Sequence, residues 1–179
     1  DTLQTISPDG VLRLSPRLCV SFPITEISKF YFNYGHFYRL PTPDDLYYIR
    51  IYPESQQVTS LANPDKALPK TVAYELGYEQ SLLDQFLIKI AGFYRDVTDQ
   101  PLSVRYTNRD ASVNYSLSQA NRYSDVRGVE LTFRKSLGRY LRGFANYTYQ
   151  VSRSGRFGFA RAYENPAQQR EYERTTTAN

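Results

Sequence analysis

One stretch of the chain, residues 71–97, alternates apolar and polar residues along two arms that flank a short turn, Ser81 to Asp84 (TVAYELGYEQSLLDQFLIKIAGFYRDV). The apolar positions are Val72, Tyr74, Leu76 and Tyr78 in the first arm, and Phe86, Ile88, Ile90 and Tyr94 in the second. A period of two predicts a β-hairpin with one apolar and one polar face. Each arm has about ten residues, whereas soluble strands usually have about 5–6 and bilayer-crossing strands about 9–11. The apolar face therefore requires either a large protein core or a membrane.

The same alternation occurs in two further parts of the chain. The predicted hairpins span about residues 17–38, 71–96 and 125–151. Three long polar segments, about residues 39–70, 97–124 and 152–179, connect or follow them, and we expect no strand in the last. Short turns and long connections alternate, so all long loops gather at one end of an up-and-down meander, as in outer-membrane barrels. We predict an all-β fold: an antiparallel up-and-down meander of about six strands in a transmembrane β-barrel, with its long loops all at one end.

The apolar faces of the predicted strands carry aromatic residues near their ends and aliphatic residues between them. Aromatic girdles around an aliphatic belt are typical of a bilayer-spanning barrel. The predicted lipid-facing residues are Leu18, Val20, Phe22, Phe30, Phe32, Tyr34, Val72, Tyr74, Leu76, Tyr78, Phe86, Ile88, Ile90, Tyr94, Val129, Leu131, Phe133, Tyr147 and Tyr149. The opposite face carries Glu75, Glu79, Lys89, Arg95, Glu130, Arg134 and Arg142, which we expect to face a water-filled lumen or a polar plug inside the barrel. A soluble sheet with one solvated face gives the same local pattern and remains an alternative.

Composition argues against several classes of protein. Lys and Arg outnumber Asp and Glu by 22 to 18, but the basic residues are scattered, so we expect no nucleic-acid partner. Cys19 and His36 are the only residues of their types, which excludes an intrachain disulfide and a histidine-based metal site. No paired carboxylates, phosphate-binding loop or nucleophile–base pair stands out, so we expect no enzyme, no metal and no cofactor.

Tyrosines and arginines of the long loops are the candidate ligand-binding residues. They are Tyr47, Tyr48 and Tyr52 in the first loop, and Arg105, Tyr106, Arg109 and Tyr115 in the second. Tyrosine can stack on a sugar or an aromatic chelator, and arginine suits anionic chelates. Asp44 and Asp45 could bind a cation, and we expect Asp96 and Asp99 to cap a turn. The alternative for both loops is ordinary packing by tyrosines and charged turn residues.

Three motifs occur in a fixed order between residues 63 and 131. They are NPDKALPKTVAYELG (Asn63 to Gly77), FYRDVTDQ (Phe93 to Gln100) and RGVEL (Arg127 to Leu131). Together they resemble the barrel of a TonB-dependent outer-membrane receptor, and the resemblance extends over about residues 15–150. It implies a barrel of about 22 strands in the outer membrane of a Gram-negative cell, with an N-terminal plug.

The resemblance also implies a function and a set of partners. Such receptors bind an extracellular siderophore, other metal chelate (haem and cobalamin among them) or oligosaccharide, and the inner-membrane TonB complex drives uptake through the plug. At about ten residues per strand, 179 residues cannot supply 22 strands. We therefore expect a segment of such a large transmembrane β-barrel, with its long loops extracellular. Its partners would be outer-membrane lipid, the remaining strands and the plug. The alternatives are a soluble all-β binding module, a passive porin or adhesin, and a small eight-stranded barrel.

Overall fold

The computed structural model of the protein describes residue 10, residues 12–138 and residues 140–177. Most of these residues lie in strands. The strands are β1 (Arg17–Thr25), β2 (Ser28–Tyr38), β3 (Ile49–Ile51), β4 (Val58–Leu61), β5 (Lys70–Leu82), β6 (Phe86–Thr107), β7 (Asn114–Lys135), β8 (Gly143–Arg156) and β9 (Arg161–Tyr163). Two helices complete the fold, α1 (Pro43–Tyr47) and α2 (Pro166–Thr177).

The six long strands form one antiparallel meander in the order β1-β2-β5-β6-β7-β8. The sheet is curled into a half-barrel. The prediction of an all-β meander of about six long strands, similar to a segment of a large barrel, is thereby confirmed. Because a single sheet has no second layer to bury its side chains, few apolar side chains of the described residues are buried: Ala91, Phe93 and Val104 are 1%, 7% and 7% exposed.

The turns of the first two hairpins are short. Strands β1 and β2 are separated by Glu26 and Ile27 alone. In the hairpin that joins β5 and β6, Leu83 and Asp84 adopt φ angles of 52° and 53°, a left-handed conformation that closes the turn. The expected turn residue Ser81 instead belongs to β5, whose pairing with β6 continues to Leu82 and Phe86. Likewise Arg142, expected on the polar face of a strand, precedes β8.

The segment of residues 97–124 differs most from the sequence expectation of a long loop. Strands β6 and β7 each have 22 residues and continue through it, leaving only residues 108–113 outside the strands. Pairing of Val104 with Leu117 supplies apolar contact that turn-rich composition conceals. Asp96 lies within β6, opposite Val72 and Asp125, and Asp99 has a φ of 57° where the register shifts. The expected turn at Asp96 and Asp99 is therefore a β-bulge inside a continuous strand.

The ends of β6 and β7 that project beyond the meander exchange partners and build a second region, which we call the distal sheet. It consists of residues 161–163, 101–107, 114–120, 58–61 and 49–51, in the strand order β9-β6-β7-β4-β3. Strand β4 pairs with β7 in parallel, and β9 pairs with β6 in parallel. The prediction of a tail without strands after residue 151 was wrong, because β8 continues to Arg156 and β9 follows. These short strands cover edges that the projecting hairpin would otherwise leave unpaired.

The described residues include no helix that is long and apolar enough to cross a membrane.

Candidate functional site

The strand register places all of the predicted lipid-facing residues on one face of the meander, which we call the apolar face. Cross-strand partners lie on the same face of a sheet, and one row runs unbroken across all six strands. This row is Phe22, Phe30, Tyr78, Ile90, Leu131 and Tyr147. Other apolar-face residues are exposed as well, since Leu76 is 58% and Val129 49% exposed. A wide sheet surface of large apolar side chains thus lacks a covering layer within the described chain.

The opposite face, which we call the polar face, carries charges of both signs. The register assigns to it Glu75, Glu79, Lys89, Arg95, Glu130 and Arg134. Two of these acids form ion pairs across strands, with 3.4 Å between Lys29 Nζ and Glu79 Oε1 and 3.6 Å between Lys89 Nζ and Glu75 Oε1. Charges in this number need water or polar partners, so the two faces require opposite surroundings.

Two close contacts between an aromatic ring and a glycine organise the polar face. The Tyr31 ring lies over Gly77, where a β-carbon would collide with it. The Phe93 ring lies over Gly128, where a β-carbon would approach Phe93 Cζ to 2.7 Å. Each ring also lies under a cation. Lys89 Nζ is 4.9 Å from the centroid of the Tyr31 ring, and the guanidinium carbon of Arg95 is 4.8 Å from the centroid of the Phe93 ring. Three of these residues, Gly77, Phe93 and Gly128, belong to the three sequence motifs, so the motifs encode packing of the polar face.

A depression of about 690 Å³ lies on the polar face, where the long connections begin. Its lining includes Phe37, Thr71, Val97, Arg122 and Ser152. None of the predicted ligand-binding residues lines it. The depression and the loop tyrosines are therefore separate candidate surfaces.

The distal sheet brings some predicted ligand-binding residues together. The rings of Tyr106 and Tyr115 stack, with centroids 5.5 Å apart and an interplanar angle of 16°. Gln119 Nε2 donates a hydrogen bond of 3.1 Å to Tyr106 Oη. Arg109 lies in the turn of the hairpin, and its backbone N–H donates to Glu164 Oε2 at 2.9 Å. The stacked pair is thus a fixed aromatic platform at the far end of the long hairpin.

The tyrosines of the first long loop lie next to the β3 edge of the distal sheet. Tyr47 ends α1, and Tyr48 and Tyr52 flank β3, which β4 separates from β7. Their side chains are 73%, 45% and 53% exposed. The structure therefore distributes the seven predicted residues over the distal sheet and the segments beside it and does not gather them in one pocket.

Two arginines join Arg105 in a row that the sequence did not indicate. The register aligns Arg161, Arg105, Ser116, Ser60 and Arg50 across five strands. Aligned partners share a face in parallel and antiparallel ladders alike. Sequence patterns do not find this row, because the parallel pairs join residues far apart in the chain.

Asp45 ties the first long loop to the long hairpin. Its carboxylate accepts from the backbone N–H of Thr42 at 3.0 Å and from Lys66 Nζ at 3.0 Å, and it also pairs with Arg39 at 3.1 Å. Lys66, whose side chain is 7% exposed, donates onward to Ser118 Oγ of β7 at 3.2 Å. The Thr42 hydrogen bond and the Lys66 ammonium hold the pKa of the Asp45 carboxyl well below its usual range. Asp45, considered above as a cation ligand, is already neutralised by two side chains.

The single histidine and cysteine do not assemble a site. His36 Nε2 lies 2.6 Å from Tyr34 Oη, and Cys19 is an exposed free thiol. Within the described ranges, no group of three His, Cys, Asp or Glu residues could hold a metal ion.

Comparison with known proteins adds a decisive observation. The family model described as "TonB dependent receptor-like, beta-barrel" matches residues 4–176. The chain belongs to this family. No match was found among curated proteins.

Several solved structures of TonB-dependent receptors share the fold. The siderophore receptor PirA from Pseudomonas aeruginosa aligns with a TM-score of 0.60 and 18% identity, over 77% of this chain and 28% of that one. A variant of the ferric enterobactin receptor PfeA from Pseudomonas aeruginosa, in complex with enterobactin, gives 0.62 and 21% over 76% and 22%. The hemophore receptor HasR of Serratia marcescens, in complex with its hemophore HasA and heme, gives 0.58 and 21% over 82% and 22%. The chain thus spans 22–28% of the length of these three proteins.

Proposed function

We propose that this chain is part of a TonB-dependent receptor that takes up a scarce ligand across the outer membrane of a Gram-negative cell, with energy supplied by the TonB complex. The observation that carries the proposal is the pair of opposed faces. An unbroken row of large apolar side chains crosses six strands, and the reverse face holds cross-strand ion pairs. Membership of the receptor family supports the same conclusion.

In this proposal the apolar face contacts outer-membrane lipid and the polar face surrounds a plug domain. The depression of about 690 Å³ on the polar face would accommodate plug or ligand. The remaining barrel strands would pair with the edges of the half-barrel at β1 and β8, because lipid does not tolerate unpaired backbone groups. The short turns would then be periplasmic, and the distal sheet would project outside the cell.

The ligand in this proposal is a siderophore, another metal chelate or an oligosaccharide. The related structures are named for siderophores, enterobactin and heme. The stacked Tyr106 and Tyr115, with the exposed tyrosines near β3, supply flat rings that suit any of these ligands. The role is one of binding and transport, with no covalent chemistry.

An uptake assay tests the proposal. Cells with and without the gene are given labelled ferric siderophores, haem or maltodextrins, and accumulation is measured before and after an uncoupler removes the proton-motive force. We expect gene-dependent accumulation of one ligand class that the uncoupler abolishes. Gene-dependent entry that persists with the uncoupler would indicate a passive barrel instead, and the absence of gene-dependent entry for every ligand class would contradict uptake.

A further inference from the structure

We propose that the row formed by Arg161, Arg105 and Arg50 on the distal sheet binds an oxyanion ligand that carries two or more phosphate or carboxylate groups. The inference deepens the proposed function by assigning a chemical class to a ligand that reaches the extracellular end of the receptor. Its test measures binding directly and does not depend on uptake.

The arginines of this row are neighbours through strand pairing. Arg161 of β9 is the direct partner of Arg105 of β6, and Ser116 and Ser60 separate Arg105 from Arg50 of β3. At about 4.8 Å between adjacent strands, the row extends over about 19 Å. All three arginines are exposed, and in the described part of the chain none of them has a carboxylate within 4.0 Å.

The adjacent pair Arg105 and Arg161 carries the inference. Like charges placed directly opposite each other destabilise a sheet, and here the backbone fixes them there. Arg105 N–H donates to the carbonyl of Ala160 at 3.0 Å, which holds β9 in register. Arg161 Nη1 donates to the hydroxyl oxygen of Tyr163 at 3.3 Å, so no carboxylate compensates the positive charge of the pair. An oxyanion between the two guanidinium groups converts their repulsion into two charge-assisted contacts.

The surroundings of the row favour an anion from outside the chain. The carboxylate of Asp45 is taken up by Arg39 and Lys66, and Glu164 accepts from the backbone N–H of Arg109. The hydroxyl groups of Ser116 and Ser60 lie between the arginines and can donate to further oxygens of the same ligand. Three guanidinium groups spread over this width match a ligand with several anionic groups better than a single phosphate ion.

Such chemistry has two sources at the outer surface of a Gram-negative cell: a soluble multivalent chelate, and the phosphate groups of an outer-leaflet glycolipid. Both present clustered oxyanions. The experiment separates them by offering the two forms independently.

The test uses the whole protein purified in detergent and in nanodiscs. Calorimetry with sodium tripolyphosphate probes the soluble form, and nanodiscs with or without phosphorylated lipid A probe the lipid form. Arg105→Gln and Arg161→Gln are compared with Arg174→Gln, which removes an exposed arginine paired with Glu171 on α2. We expect each variant of the row to weaken binding in at least one form by roughly tenfold or more, and the control to have less than a twofold effect.

The outcomes decide the inference in either direction. Equal weakening in Arg174→Gln would show attraction by net charge alone, and absence of binding to both probes in the wild type would overturn the site. Arg105→Lys guards against misfolding: it keeps the charge and loses the bidentate fork, so weakened binding with an unchanged melting temperature supports recognition by arginine. If the row binds anions but uptake fails in the uncoupler assay, the proposed function falls and the anion site stands.

Discussion

Replacement of Ile90 by arginine is the sharpest test of which face meets lipid. Ile90 is the β6 member of the row that crosses six strands, and its side chain is 49% exposed on the apolar face. Phe86 and Tyr94, four residues away in each direction, are the aromatic residues of the same strand and face. At about 3.4 Å per residue and a strand tilt of about 40°, Ile90 lies about 10 Å along the membrane normal from each of these two aromatic residues.

That depth sets the expected cost. Arginine near the bilayer midplane of a barrel costs about 2–4 kcal/mol, and the cost falls to about 0–1 kcal/mol near the interfaces. We therefore expect Ile90→Arg to lower the free energy of unfolding by about 2–4 kcal/mol and Tyr94→Arg by much less, apart from the ring that is lost. Guanidinium unfolding of the protein in liposomes, followed by circular dichroism, measures both.

Thr148→Arg is the matched control on the other face. Thr148 is an exposed residue of β8, and its direct partner on the polar face is Glu130. Arginine there gains an opposite charge across the strand, so we expect a change within about 1 kcal/mol. A cost at Thr148 as large as at Ile90, or no difference between Ile90 and Tyr94, would contradict the assignment of the apolar face to lipid.

Two further changes probe the loop anchor and the glycine contacts. Asp45→Asn should weaken protection of the first long loop by about 1–3 kcal/mol in hydrogen exchange, because two charged hydrogen bonds are lost, whereas the exposed Asp44→Asn should not. Because the pKa of Asp45 is lowered on folding, its contribution is complete above the usual pKa of 3.8 and declines as the pH falls below it, so acid should loosen the wild-type loop towards the Asp45→Asn state; a loop equally protected at pH 7 and pH 2 would refute this. Gly77→Ala should cost about 1–3 kcal/mol in denaturant unfolding because its methyl group displaces the Tyr31 ring, and Gly92→Ala, which meets open space on the apolar face, should cost less than half as much; equal costs would mean that the ring contact is unimportant.

The meander could be predicted from the sequence because its strands obey a period of two. The positions of Leu76, Ile90 and Leu131 within their alternating runs already determine that they share a face once the strands pair in order. The three motifs that indicated the family lie in or next to these same strands, β5, β6 and β7. Here local pattern and tertiary structure agree, since each strand needs only its neighbour in the chain to complete its ladder.

The distal sheet could not be predicted, because non-local pairing creates it. The three-residue strand β9 is too short to show a periodicity of its own. It forms a strand only by pairing with the edge of β6, which lies more than fifty residues earlier in the chain. Residues 97–124 contain turn-forming Asn, Asp and Ser throughout, yet the ladder between β6 and β7 overrides them. The arginine row follows from these pairings, so it emerges only in three dimensions.

The exchange of partners by β6 and β7 has a consequence for engineering. Below the bulge the two strands are flanked by β5 and β8, and above it by β9 and β4, so each flanking segment changes sides. The connection between β2 and β5 reaches the β7 edge, and the segment after β8 reaches the β6 edge. A single loop transplanted from another receptor would find no matching strand edge to pair with. The long hairpin, in turn, would lose the strand that pairs with one of its two edges. The distal sheet is therefore transferable only as a unit of three chain segments: the β2–β5 connection, the long β6–β7 hairpin and the segment after β8.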